Sequence, residues 1–171
     1  MAIQDHKWYT TQTDPCWYNI RDLAYRNEPF NDTKSLTYWN LLGFSNNKYT
    51  GDMYDMRNAE PEWMPDVLVQ FDMWEHVGWS VYRMGPGACL PLHSDTYTRF
   101  REIHELESSD SVARAIVFLE DWQSGHYFEI DRHPFVNWSA GDTVVWYDDV
   151  PHIASNMGFT DRYTLQITGK I

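Results

Sequence analysis

After Gly78 the chain breaks into a succession of short apolar runs, each rich in β-branched and aromatic residues and closed by turn residues. Few folds accept that texture. We read strands at Trp79 to Met84, Cys89 to His93, Ala113 to Glu120, His126 to Ile130, Thr143 to Tyr147, His152 to Ser155 and Tyr163 to Thr168. Turn signals such as Gly85-Pro86-Gly87, Ser124-Gly125 and Ala140-Gly141-Asp142 separate them. Many short strands at such spacing predict a closed sandwich or barrel rather than an open sheet.

Residues 1–76 read differently, as helical and irregular support. Asp14-Pro15 has the form of a cap and first-turn proline opening a helix through Ile20 and Leu23. A second helix is expected from Thr33 to Leu42, stopped by Gly43, and a third from Pro65 with Val67, Phe71 and Trp74 on one face, ending before Gly78. The Gly-, Asp- and Asn-rich stretch Ser45 to Glu60 reads as a surface loop or lid. A length of 171 residues with 43% apolar side chains fits one domain, 1–171, with its β core at 77–170. Nine tryptophans are expected mainly in packing.

The net charge of −12 disfavours a nucleic-acid or anionic-membrane partner, since both surfaces repel an acidic protein. Two distant cysteines, Cys16 and Cys89, suggest neither a disulfide framework nor a zinc ribbon. A start without a signal-peptide pattern and a chain without a long apolar run lead us to expect a soluble, cytoplasmic protein.

His93-Ser94-Asp95 puts two metal-capable side chains on one face of an extended segment, because strand side chains alternate. Alone the pair means little. His152, at the head of a later strand behind the turn Asp148-Asp149-Val150-Pro151, would complete two imidazoles and one carboxylate. That set leaves open positions on iron, as non-haem Fe(II) oxygenases require. Arg162, on the next strand, offers a planar fork of donors suited to a carboxylate deeper in the barrel.

At these residues the chain resembles the Fe(II)/2-oxoglutarate-dependent oxygenases, in particular the prolyl and the aspartyl/asparaginyl hydroxylases. The resemblance covers Tyr82 and the Gly85-Pro86-Gly87 turn leading to His93 and Asp95, then Ala113 to Gly125, and most specifically Trp138 to Gly169. It implies a mainly β fold with N-terminal helices around a double-stranded β-helix (jelly-roll, cupin-like) core. It also implies Fe(II) held by His93, Asp95 and His152, and 2-oxoglutarate bound by Arg162, Tyr82 and Arg114. O2 would be co-reactant, and the substrate an amino-acid side chain in a peptide or protein, or a small metabolite. The chain departs from both groups: Phe118 stands where prolyl hydroxylases carry a tyrosine, and Asp95 is kept where aspartyl hydroxylases lack that ligand.

Two other readings compete. A cupin using the same barrel for different metal chemistry usually offers His-x-His and a glutamate, and no His-x-His occurs here. A non-enzymatic jelly-roll module could use exposed aromatics to hold a partner. Asn156 and Thr164 are candidates for substrate or cosubstrate contacts that are also ordinary loop and strand residues, and His126 is expected in an ordinary packed or surface role.

Overall fold

The computed structural model describes residues 7–44, 49–147 and 149–171. Its organising strand is the last, where Arg162, Thr164, Gln166 and Thr168 alternate with Tyr163, Leu165 and Ile167 over Arg162–Lys170. Side chains on successive strand residues point to opposite faces, so this strand presents a polar face and an apolar one.

Among the described residues, eleven strands form two antiparallel sheets. They are β1 (Trp8–Gln12), β2 (Tyr25–Pro29), β3 (Thr50–Tyr54), β4 (Glu75–Met84), β5 (Cys89–His93), β6 (Val112–Phe118), β7 (His126–Ile130), β8 (His133–Phe135), β9 (Asp142–Tyr147), β10 (His152–Asn156) and β11 (Arg162–Lys170). The larger sheet runs β1-β9-β6-β11-β4-β3-β2 and the smaller β5-β10-β7-β8. From β4 onward the chain steps between the sheets, which is the double-stranded β-helix, or jelly roll.

The apolar face of the larger sheet, with Val81, Ala115, Val117, Val145, Leu165 and Ile167, packs under Trp63, Met64, Val67, Phe71 and Trp74. Each such buried aliphatic or aromatic side chain contributes about 1.5–3 kcal/mol. The opposite face meets the smaller sheet through Met84, Phe118, Phe128, Ile130, Trp138, Trp146 and Ala154. Trp63, Trp74, Trp138 and Trp146 are all buried, as expected of packing residues.

All seven strands read from the sequence are present, shifted at their ends by a few residues at most. The fifth strand of the roll, β8, is only three residues long and carries Pro134, which hides it from pattern reading.

The N-terminal part needs more correction. The helix expected from Asp14 is a single 3-10 turn, Ile20–Asp22. Tertiary contacts hold this segment instead: Asp14 N donates to Gln70 Oε1 at 2.7 Å, and Trp17 Nε1 to the Leu119 carbonyl at 2.7 Å. Helix α1 (Thr33–Leu41) matches the second expected helix and is capped by Asp32, whose side chain accepts from the Lys34 and Ser35 amides. The third is shorter than expected: α2 (Met64–Leu68) passes into a 3-10 turn, Val69–Phe71, and β4 already begins at Glu75.

Within the presumed loop, residues 45–48 lie outside the described residues, and Thr50–Tyr54 is strand β3, paired with β2 and β4. Strands β1, β2 and β3 escape sequence reading because they are short and lack apolar alternation, β1 and β2 being also largely exposed; pairing with β9 and β4 forms them. Helix α3 (Thr98–Ile103) was likewise not read from the sequence.

One turn leads into β7 at the end of β10 opposite His152. Gly125 has φ +95°, and a Cβ there would meet the Gly158 nitrogen at 2.3 Å. Gly125→Ala is expected to destabilise the fold by more than about 1 kcal/mol, because left-handed backbone and a backbone clash act together. A urea titration followed by tryptophan fluorescence measures the loss.

Candidate metal centre and its chamber

His152 heads β10 and lies in register with His93 at the end of β5, so antiparallel pairing sets the two imidazoles side by side, ring centroids 4.3 Å apart. Asp95 follows two residues after His93. Their ligand atoms all lie within 4.8 Å of one another, a group able to hold a metal ion.

Backbone carbonyls fix both rings. His93 Nδ1 donates to the Pro91 carbonyl at 2.6 Å and His152 Nδ1 to the Val150 carbonyl at 3.0 Å. A carbonyl can only accept, so each Nδ1 carries a proton and Nε2 is the ring nitrogen left to ligate a metal. Burial pushes His152 down to about 4, so this imidazole is neutral at pH 7.

Asp95 is ionised. Burial alone would raise its pKa, but Arg114, His152 and His93 outweigh that and bring it below the ordinary carboxylate value. Its Oδ1 meets Arg114 Nη1 at 2.5 Å. Its Oδ2 is buried without a hydrogen-bond partner among the described residues and faces His152 Nε2 at 3.6 Å. A carboxylate oxygen and an imidazole lone pair so placed are two bases with no proton to share. A divalent cation between them satisfies both, and one anionic and two neutral donors suit iron or a similar first-row metal. The residues present fit the metal that the resemblance implies.

The centre opens on a cavity of about 1020 Å³. Its inner wall is the polar face of β11 (Arg162, Thr164, Gln166, Thr168) with Tyr82 and Ser80 from β4 and Arg114 from β6. Phe128 and Trp146 supply apolar walls, while Phe30, Lys34 and the α3 segment from Tyr97 to Ile103 form the rim.

Arg162 is the second unusual group. It is 5% exposed and has no ion pair with any described residue. Its neighbours are the Phe118 and Trp138 rings, 5.7 and 5.6 Å from its guanidinium carbon, and the Met84 sulfur at 3.8 Å. Its Nε is buried without a hydrogen-bond partner among the described residues. Burial lowers its pKa to about 10, which still leaves it charged at pH 7. Glu120 is taken by Arg21 at 2.7 Å.

All six residues singled out in the sequence line this cavity: His93, Asp95, His152, Arg162, Tyr82 and Arg114. Burial raises the Tyr82 phenol, with Arg114 opposing. Thr164 joins them, but Asn156 does not. Asn156 is fully buried, and its amide binds backbone only, donating to Met84 and Thr160 carbonyls at 2.7 and 2.8 Å and accepting from Gly158 N at 3.0 Å. His126 is a packing residue, its Nε2 donating to the Thr160 carbonyl at 3.1 Å. Asp148, the first residue of the turn before His152, lies outside the described residues. Gln166, Thr168 and Ser80 were not read as site residues, although the alternation on the last strand, once Arg162 is set inward, carries Gln166 and Thr168 with it.

The sequence matches no family model and no curated protein. Solved structures do match. A Pseudomonas putida prolyl-4-hydroxylase superposes with a TM-score of 0.54 at 16% identity, over 88% of this chain and 94% of that one. The likeness shows the fold. A predicted oxalate decarboxylase from Thermotoga maritima aligns over 91% of this chain and 99% of that one, at 13% identity and a TM-score of 0.45. At such identities a shared roll says nothing about chemistry, which rests on the side chains. Among the described residues no helix is long and apolar enough to cross a membrane.

Proposed function

We propose that this chain is an Fe(II)- and 2-oxoglutarate-dependent oxygenase that hydroxylates an unactivated C–H bond. The observation that carries the reading is Arg162, a buried guanidinium with no acidic partner among the described residues, lining the same chamber as the His93–Asp95–His152 cluster. Many metalloenzymes could use the cluster. A buried fork of donors beside it fits a cosubstrate with a distal carboxylate.

In this reading His93 Nε2, His152 Nε2 and Asp95 Oδ2 hold the iron, and Arg162 pairs with the distal carboxylate of 2-oxoglutarate. Iron and oxo-acid together supply the oxidising power, converting O2 and 2-oxoglutarate to succinate and CO2 as one oxygen enters the substrate. Tyr82, its phenol kept protonated by burial, serves as a hydrogen-bond donor to the cosubstrate. Arg114 contributes to cosubstrate binding only through the donors that Asp95, Gln166 and Thr168 leave free. Phe128 and Trp146 keep the inner chamber dry.

The rim between Phe30 and α3 suits an amino-acid side chain presented by a peptide or protein, held by stacking and backbone hydrogen bonds. A free metabolite is the competing substrate. Anaerobic titration of 2-oxoglutarate into protein with and without Fe(II) tests the cosubstrate: metal-dependent binding is expected, and metal-independent or absent binding overturns the reading. Incubation in air with peptides or a metabolite pool, read by mass spectrometry for one added oxygen, then decides the substrate.

A further inference from the structure

We infer that Arg114 is a positioning residue of the metal centre, which occupies one oxygen of Asp95 so that only the other is offered to the metal. The inference rests on the metal-site reading above but not on the identity of the cosubstrate. The guanidinium is held on every side. Nη1 meets Asp95 Oδ1 at 2.5 Å, and Nε donates to Thr168 Oγ1 at 3.2 Å. The Gln166 side-chain oxygen, in the orientation that satisfies both ends of its amide, accepts at 2.8 and 2.9 Å. The Tyr97 ring centroid lies 4.9 Å from the guanidinium carbon.

This arrangement ties the segment carrying Asp95 to β6 on two counts, through the carboxylate itself and through Tyr97 two residues later. It also spends most of the guanidinium's donors on protein groups. What remains variable is Asp95 Oδ2, the buried oxygen without a hydrogen-bond partner among the described residues. A cation on Oδ2 would share one carboxylate with Arg114. Two cations on one buried carboxylate weaken each other, because the local dielectric is low and neither is screened by bulk water. Arg114 therefore does two things: it keeps Asp95 aimed while no metal is bound, and it loosens the metal once bound. It also denies the metal a two-oxygen grip, leaving positions for other ligands.

Removing Arg114 has opposing effects on metal binding. The carboxylate loses order, which costs the equivalent of one side chain immobilised on binding, and it loses a competing cation, which is the larger effect in a buried site. Arg114→Met is thus expected to melt at a lower temperature without metal yet bind Mn(II) about tenfold more tightly, opposite to the usual cost of changing a group behind a metal ligand, because this group is itself a cation competing for the carboxylate. Arg114→Lys, with a charge but no fork, is expected in between.

The test is Mn(II) binding by calorimetry on the full chain without cosubstrate, alongside melting curves with and without Mn(II). Unchanged or weaker Mn(II) binding by Arg114→Met overturns the inference and leaves Arg114 a structural or cosubstrate residue. If the Met variant does not fold, Arg114→Lys decides by the same sign. Wild-type protein that binds no Mn(II) overturns the metal-site reading as well, so the two failures are distinguishable.

Discussion

His152→Ala and His93→Ala are each expected to weaken Mn(II) or Fe(II) binding by more than about 100-fold and to abolish turnover, while the fold persists. Changing a group that merely supports a metal ligand typically costs about 10–100-fold in affinity, so deleting a ligand from a three-residue set costs more. The fold should survive because the roll is held by strand pairing and by two apolar clusters, and of the two imidazoles only that of His152 borders one of these, at Trp146 and Phe128. His133→Ala is the control. Its Nδ1 also donates to a carbonyl, that of Asp131 at 2.8 Å, but the residue is exposed and belongs to no cluster of metal-capable groups among the described residues. Titration calorimetry of Mn(II) into the three variants reads the result, with circular dichroism checking the fold. Metal binding retained by His152→Ala, or lost in His133→Ala, would remove His93, Asp95 and His152 as the centre.

The sequence disclosed the site more fully than its surroundings, for a physical reason. Ligands for a metal must converge, and in a roll they do so through register: His93 and Asp95 are brought together by alternation on one extended segment, and His152 by pairing of β10 with β5. Both relations follow from strand periodicity. Arg162 was legible on the same ground, since inward placement of one residue of β11 places every second one. The N-terminal strands were not legible because their stability is borrowed. Tyr25–Pro29 has a single strongly apolar side chain besides its proline, and it becomes a strand only because β3 is there to pair with it. The engagement of Arg114 by Asp95 was equally hidden. It joins side chains on β6 and on the segment after β5, which are brought into contact only when the two sheets close on each other.

Arg162 gives the prediction whose two halves move in opposite directions. Arg162→Ala is expected to weaken 2-oxoglutarate binding to the metal-loaded protein by about 2–5 kcal/mol, roughly 30- to 5000-fold, because a desolvated carboxylate loses its charged partner. Arg162→Lys falls between, since an ammonium lacks the planar fork. The same guanidinium burdens the fold when no anion is bound: it is buried, and its neighbours are two aromatic rings and a thioether sulfur. Those contacts recover part of the desolvation cost but do not neutralise the charge. Arg162→Met, similar in length and uncharged, should therefore melt higher than wild type in the absence of ligand. The sign with pH follows from the lowered pKa. A base whose folded pKa lies below its unfolded value destabilises the fold while protonated, here at every pH below about 10, and the penalty shrinks only above that. The advantage of the Met variant should accordingly be flat from about pH 6 to pH 9. Saturating 2-oxoglutarate with Mn(II) should reverse the order, because ligand at about 100 times its dissociation constant adds some 2.7 kcal/mol to wild type and little to the variant. Thermal melts with and without 2-oxoglutarate measure both halves. A Met variant that is less stable than wild type without ligand yet still stabilised by 2-oxoglutarate would make Arg162 a structural residue and move the carboxylate elsewhere in the chamber.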